Sequence, residues 1–215
     1  MNHEQKGLFV NNPYLIFKRI SDLFFSILLL ILASPIMVLA SVAIKIESNG
    51  PAIFKQQRPG KDAKVFRVFK FRTMRVETEK DGKALSDMER MTRIGSLLRK
   101  TSIDELPQLF NILRGEMSFI GPRPLLVKYL EYYSEEQMRR HEVTPGISGW
   151  AQVNGRNTIS WEEKFKFDTW YVDNIRLSLD LKIIWLTLYN VLIRKDINNS
   201  QGDTMPYFTR DTNKN

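Results

Sequence analysis

The sequence predicts a mainly α chain with a short β element, held on one face of a membrane: an N-terminal re-entrant helical hairpin followed by a cytoplasmic domain that carries interfacial helices. Three observations lead there. Leu23 to Ile44 is a run of 22 residues without a charge, interrupted by Ser34 and Pro35. Basic residues flank that run on both sides. Beyond Glu47 the composition becomes that of a soluble domain, with apolar residues at helical spacing and one Val- and Phe-rich stretch of period two.

At about 1.5 Å per residue the apolar run is long enough for a hydrocarbon core of roughly 30 Å. A secretory signal fits poorly, because such signals carry an apolar region of only about 7 to 15 residues and here Glu4 and Asp22 precede the run. Pro35 removes a backbone donor and clashes with the preceding turn, so a bend is expected near mid-depth. Ser34 and Ser41 can bond carbonyls that the proline leaves unpaired. The arms on either side of Pro35 reach roughly 18 Å and 14 Å, each about half of the core. Lys6, Lys18 and Arg19 precede the run, and Lys45, Lys55, Arg58, Lys61 and Lys64 follow it. Both flanks therefore read as cytoplasmic, and a hairpin entering and leaving by one face satisfies both. The expected organisation is a membrane segment over 1–48 broken at Ser34 and Pro35, a domain over 49–195, and a flexible tail over 196–215.

Within the domain, Lys64 to Met74 alternates basic with apolar residues and reads as a strand with Lys64, Phe66, Val68, Lys70 and Arg72 on one face. Glu77 to Asp87 reads as a surface loop around Gly82. Arg90 to Lys100 is helical by the spacing of Ile94, Leu97 and Leu98, and a second helix carries Leu106, Leu109, Phe110 and Leu113 up to Gly115. Ser102 and Glu105 have capping-box spacing between the two. GPRP at 121–124 is a rigid turn before a helix from Leu125 to Arg140, and Thr144 to Asn157 is too rich in Gly and Asn for regular structure. Ser160 and Glu163 cap a helix that ends near Asp173. Leu177 to Ile193 is apolar nearly all round, but Asp180, Lys182 and Asn190 make it a helix for the headgroup boundary or for burial against the first segment.

Composition narrows the chemistry. The 215 residues include no cysteine and two histidines, which excludes disulfides, thiolate metal sites and thiol nucleophiles, and disfavours a zinc enzyme. A net charge of +8 attracts nucleic acid, acidic lipid or nucleotide phosphates. The densest basic tract, Arg58 to Arg75, holds seven cations and one acid, Asp62. Contact with anionic lipid, worth about 1 kcal/mol per basic residue, accounts for Lys61 and Lys64. Lys70 and Arg72 interleave with Phe69 and Phe71, and partly buried cations need an anion. Asp104 and Glu105 form an acidic pair among Arg93, Arg99, Lys100 and Arg114, read either as ordinary helix-start acids or as catalytic carboxylates. Arg123 between two prolines aims a guanidinium at one place, as bidentate phosphate binding requires. Arg156 in VNGRN invites the same reading or that of a surface arginine.

QQRPG at 56–60, FKFRTM at 69–74, DELPQLFN at 104–111, MSFIGPRPLL at 117–126 and PGISGWAQVNGRN at 145–157, following a Ser-Pro break in a membrane segment, resemble the bacterial sugar transferases. The match runs from about Lys18 to Arg194 and is to the small monotopic phosphoglycosyl transferases. The resemblance implies transfer of a sugar 1-phosphate from a UDP-sugar to undecaprenyl phosphate, with release of UMP and use of Mg2+. It implies a catalytic 49–195 domain at the cytoplasmic face of the bacterial inner membrane. Its partners would be the inner membrane lipids and later glycosyltransferases of the pathway, and no nucleic acid. By motif position Asp104 would be the nucleophile and metal ligand, with Glu105 its partner. Lys70, Arg99 and Arg123 would bind phosphate, with Arg72 in the same basic stretch. Arg156 and Asp168 would lie around the nucleotide, and Ser34 and Pro35 would set the hairpin. Two other classes remain open on the residues alone: a membrane-anchored nucleic-acid-binding module and a polyprenyl-linked phosphatase.

Overall fold

The computed structural model describes residues 12–80, 82–155, 159–193 and 207–209. Helix makes up 59% and the sheets are small, so the expected fold class holds at that level. The first element, α1 (Pro13–Glu47), starts where Asn12 accepts a hydrogen bond from the Tyr14 amide and Pro13 supplies a preset φ. Helical assignment continues through Pro35, so the two arms form one helix of 35 residues, not two helices joined by a turn. Ser34 Oγ donates to the Ile31 carbonyl at 2.8 Å. That carbonyl is the one Pro35 cannot serve. Ser41 bonds Met37 instead.

The domain grips α1 at both ends and leaves its middle bare. Near the start, Lys18 Nζ and Tyr14 OH both donate to Asp180 Oδ2 at 2.5 Å, Arg19 donates to the carbonyls of Ile112 and Leu113, and Asp22 accepts from the Phe119 amide. Near the end, Glu47 accepts from the amides of Arg93 and Ile94, and Ala40 and Ile44 pack into a cluster with Ala52, Phe71 and Leu98. Between these, Ile31, Leu32, Val38 and Leu39 are exposed.

Strands β1 (Ile53–Pro59) and β2 (Val65–Phe71) form an antiparallel hairpin whose face carries Val68 and Lys70 together, as the alternation predicts. The segment expected to be a plain loop holds a two-residue ladder, β3 (Glu79–Lys80) with β4 (Lys83–Ala84). Arg90 to Lys100 is two helices, α2 (Asp87–Arg90) and α3 (Arg93–Lys100), because Thr92 starts a new cap on Gly95 N. Gly95 sits where an added Cβ would lie 2.0 Å from the Thr73 carbonyl, so α3 rests directly on the FRTM backbone. Helix α4 (Gln108–Arg114) ends at Gly115 with φ +79°, as the sequence predicts.

Two expectations fail near GPRP. Leu125 to Arg140 is not one helix: it breaks into a 3-10 turn (Val127–Glu131), the short α5 (Glu135–Met138) and a second 3-10 turn (Arg139–His141). The glycine-rich 144–157 segment is partly regular, with β6 (Gly146–Ser148) parallel to β5 (Ser118–Ile120), then α6 (Trp150–Asn154). The glycines are what permit that pairing. A Cβ on Gly121 would lie 2.4 Å from the Thr144 carbonyl, and one on Gly146 would lie 2.1 Å from the Gly121 nitrogen. Helix α7 (Trp161–Asp173) has the predicted Ser160–Glu163 capping box. Helix α8 (Leu177–Leu192) buries Leu179 and Ile183 and leaves Leu181, Trp185, Leu188 and Leu192 exposed along one stripe. Of the polar tail only 207–209 is described, and there Phe208 is 1% exposed among Tyr129, Trp161 and Phe165.

Asn111 joins α4 to the free edge of β2. Fully buried, it accepts from the Phe69 amide at 3.0 Å and donates to the Arg67 carbonyl at 2.7 Å and to Glu116. Asn111→Ala should orphan both strand groups and cost about 2–3 kcal/mol. Thermal denaturation in detergent, followed by far-UV circular dichroism, reads this. An unchanged midpoint would show that water replaces the amide without loss.

Candidate active site

Strand β2, a 3-10 turn (Ile103–Glu105) between α3 and α4, and the GPRP loop after β5 converge on one carboxylate. Ser102 takes a left-handed φ of +57° and makes no side-chain cap, so the expected Ser102–Glu105 capping box does not form. Glu105 is used elsewhere. Its Oε1 accepts from Lys70 Nζ at 2.7 Å and from Arg123 Nη2 at 2.8 Å. Asp104, beside it, makes no hydrogen bond or ion pair among the described residues. All four side chains line one cleft of about 1380 Å³, and Arg99 lines it too, held by a bond from its Nε to Thr73 Oγ1 at 3.0 Å.

The electrostatics separate the two acids. Burial raises Glu105, but the charges of Arg123 and Lys70 and their hydrogen bonds prevail and hold its carboxyl at about 2. Asp104 is moved the other way: burial and then the Glu105 charge raise it, against the pull of Lys70, Arg99 and Arg123. Lys70 is lowered by burial and by Arg123, with Glu105 opposing. Glu105 thus serves as a fixed anion that keeps two cations together. Asp104 is an ionisable carboxylate with uncommitted oxygens facing the same cleft.

Lys70, Arg99, Asp104, Glu105 and Arg123, expected from their motifs, are brought together. Arg72 borders the cleft, but its fork donates to the carbonyls of Asn49 at 2.6 Å and Ser48 at 2.8 Å, tying β2 to the end of α1. Asp168 lies deeper, fully buried against Arg140 at 2.7 Å, each 2% exposed. Arg140 also donates to the Arg123 carbonyl at 2.8 Å. Asp168 and Arg140 still line the cleft wall, and Arg140 ties Asp168 to the GPRP backbone. Arg156 lies outside the described residues. Arg140 was not singled out from sequence, since it sits in a run of charged residues, MRRHE, that reads as a solvated face. The signal that finds it is tertiary: a buried carboxylate on a neighbouring helix needs a cation.

The chain matches the family described as bacterial sugar transferase over residues 13–194. It is 50% identical over 195 residues to the uncharacterized sugar transferase EpsL of Bacillus subtilis (strain 168), covering 91% of this chain and 96% of that protein. It is 43% identical over 197 residues to the UDP-glucose:undecaprenyl-phosphate glucose-1-phosphate transferase of Klebsiella pneumoniae, covering 86% of this chain and 42% of that protein. It is 40% identical over 202 residues to the UDP-N-acetylgalactosamine-undecaprenyl-phosphate N-acetylgalactosaminephosphotransferase of Aeromonas hydrophila, covering 89% and 48%. The chain thus spans nearly all of the Bacillus relative and less than half of these two longer transferases.

Removing the shared anion should leave Lys70 and Arg123 in mutual repulsion. With Glu105 held at about 2 against an ordinary 4.5, its contribution to stability is complete above about pH 4.5 and is lost as pH falls toward 2. Glu105→Gln should therefore lower the melting temperature at neutral pH, and the gap from the unsubstituted chain should narrow on acidification through that window. A gap independent of pH would mean that Glu105 acts through packing and not through its charge.

Proposed function

The chain belongs to the bacterial sugar transferase family, and from that membership we propose that it moves a sugar 1-phosphate from a UDP-sugar to undecaprenyl phosphate, releasing UMP. The observation that carries this reading is an uncommitted carboxylate, Asp104, set beside a Lys70–Glu105–Arg123 cluster within a cleft also lined by Arg99. A nucleotide-sugar diphosphate brings two negative charges into such a cleft. Preorganised cations both bind it and stabilise the charge that develops on the departing phosphate.

In the first half of the reaction an Asp104 oxygen attacks the phosphorus that bears the sugar. The bond from that phosphorus to the bridging oxygen breaks, and the electron pair leaves with UMP. The adduct is an acyl phosphate, a mixed anhydride. In the second half an oxygen of polyprenyl phosphate attacks the same phosphorus, the bond to Asp104 breaks, and the carboxylate is regenerated. Asp104 must be ionised to attack. An ionised carboxylate attacks without a partner base.

The donor set suits Mg2+, which takes one or two carboxylates and completes its shell with water and substrate phosphate oxygens. Asp104 is unpaired, and the ion pairs of Glu105 use only Oε1. Among the described residues there is no group of three or more acids or imidazoles that could enclose a metal by itself. Asp104 would hold the ion, which when bound supplies charge neutralisation on the diphosphate.

A re-entrant α1 on the cytoplasmic face of the inner membrane brings this site to the lipid acceptor. The support is the double grip. Arg19 and Glu47 stand about 42 Å apart on a straight helix, more than a core of roughly 30 Å, yet both bond to neighbouring elements of one domain, α4 and α3. A straight span would place one of them on the far side, away from its partner. The Ser34 bond to Ile31 allows a bend at Pro35 without leaving a carbonyl bare in lipid. The exposed stripe on α8, Leu181, Trp185, Leu188 and Leu192, suits the headgroup boundary. Membrane lipids are thus partners along α1 and α8, and the lipid-linked product is the substrate of later glycosyltransferases. The acids in the cleft disfavour a nucleic-acid module, since Asp104 and Glu105 would repel backbone phosphates.

Two experiments test this. With a suitable UDP-sugar and Mg2+ but no acceptor, the chain should release about one equivalent of UMP and gain the mass of one sugar phosphate, which polyprenyl phosphate then removes. Steady-state kinetics should be ping-pong. Absence of both the burst and the adduct, with full turnover once acceptor is added, would make the transfer direct and Asp104 a metal ligand. For topology, cysteines at positions 12 and 49 should both resist an impermeant maleimide in intact cells. Labelling at position 12 alone would establish a span.

A further inference from the structure

Beside the main cleft lies a second, small cavity of about 40 Å³ on the face of the β1–β2 hairpin. Its walls follow from strand alternation. Phe54, Gln56 and Arg58 line it from β1, and Val68 and Lys70 line it from β2, where Phe54 pairs with Lys70 and Gln56 with Val68. Gln108 of α4 and Arg123 and Pro124 of the GPRP loop complete it.

Among the described residues Arg58 lacks a carboxylate partner and Gln108 lacks an acceptor. Arg58 has no carboxylate within ion-pair distance among the described residues, and its contact is a bond from Nη2 to Gln56 Oε1 at 2.7 Å, which fixes its direction along the strand. Burial, and then the neighbouring Arg123 charge, lower Arg58 to about 10. Gln108 is 2% exposed, and its Nε2 is buried without a hydrogen-bond partner. A buried amide donor without an acceptor is costly, and so is a half-buried guanidinium without a counter-charge. Around them lie three cations, Arg58, Lys70 and Arg123, of which only the last two share a bonded carboxylate, Glu105. The chemistry lacking is an anion with several acceptor oxygens.

We propose that Arg58 and Gln108 form a seat for a phosphate monoester at the edge of the active cleft, distinct from the position at Asp104. The cavity shares Gln56, Arg58, Lys70 and Arg123 with the main cleft, so a phosphate reaches it from there. A fork on Arg58 suits two phosphate oxygens, and Gln108 donates to one of them. The assignment rests on the transferase reading for the identity of the monoester. It is either the nucleotide monophosphate produced in the first half-reaction or the lipid phosphate consumed in the second. Both are phosphate monoesters, and the first leaves before the second attacks, so one seat can serve the two in turn.

The test uses the full chain in nanodiscs, and its first arm needs no turnover. Calorimetric titration with UMP and with uridine isolates the phosphate contribution. Arg58→Ala should weaken UMP at least tenfold and leave uridine unchanged, and Gln108→Glu, which faces the phosphate with a carboxylate, should do the same. In a second arm the apparent KM for a short-chain polyprenyl phosphate is measured with both variants. A loss confined to UMP assigns the seat to the nucleotide, a loss confined to the acceptor assigns it to the lipid phosphate, and both support the seat. Unchanged UMP binding together with unchanged acceptor KM overturns it. Gln108→Glu carries the decision if Arg58→Ala fails to fold by circular dichroism. A chain that binds UMP through Arg58 yet transfers nothing would defeat the transferase reading while keeping the seat, so the two failures are distinguishable.

Discussion

One carboxylate oxygen holds the site together. Glu105 Oε1 accepts from Lys70 and Arg123 at once, and so joins β2, the turn after α3 and the GPRP loop. None of these could keep a cation in place alone. Lys70 sits on a two-stranded hairpin, and Arg123 belongs to a loop without regular structure. Partial burial makes the shared charge worth more than a surface pair, because screening water is reduced. It also explains why the adjacent acid differs. With the two cations committed to Glu105, Asp104 is left without a partner, and burial followed by the Glu105 charge raises its proton affinity.

The support for that cluster extends outward in layers. Asp168 and Arg140, both fully buried, form a pair whose desolvation cost is met by two bonds between them and a third to the Arg123 carbonyl. Arg123 thus has a polar anchor behind it and Glu105 in front of it. Arg72 performs a related task at the other edge, fastening the end of α1 to β2 through two carbonyls. The long apolar helix and the chemical centre are consequently separated by only a few side chains, and Gly95, pressed on Thr73, brings Arg99 onto the same scaffold.

Asp180 plays the corresponding part at the start of α1. It accepts from Tyr14, Lys18 and Tyr171, so that α1, α7 and α8 meet at one buried acid. By sequence Asp180 stands with Lys182 and Asn190 among the polar residues of a largely apolar helix. In three dimensions it is the joint between the apolar helix and the domain. Buried acids of this kind are invisible to hydropathy, because their partners lie far away in the chain.

The local signals in the sequence were sufficient for the long apolar helix and its serine-assisted proline, for the β1–β2 face carrying Lys70, for the stop at Gly115 and for the Ser160–Glu163 cap. Each depends on residues a few positions apart, where spacing alone fixes geometry. Signals of the same kind misled at Ser102–Glu105, where two distant cations compete for the glutamate, and at 144–157, where glycines allow a parallel strand to form against β5. The grouping of Lys70, Asp104, Glu105 and Arg123, the use of Arg72 on backbone carbonyls, and the Asp168–Arg140 anchor were decided only by tertiary structure. They join residues as much as 35 positions apart in the case of Lys70 and Glu105, and such pairings are set by how the elements pack and by which buried charge finds a partner, neither of which local spacing encodes.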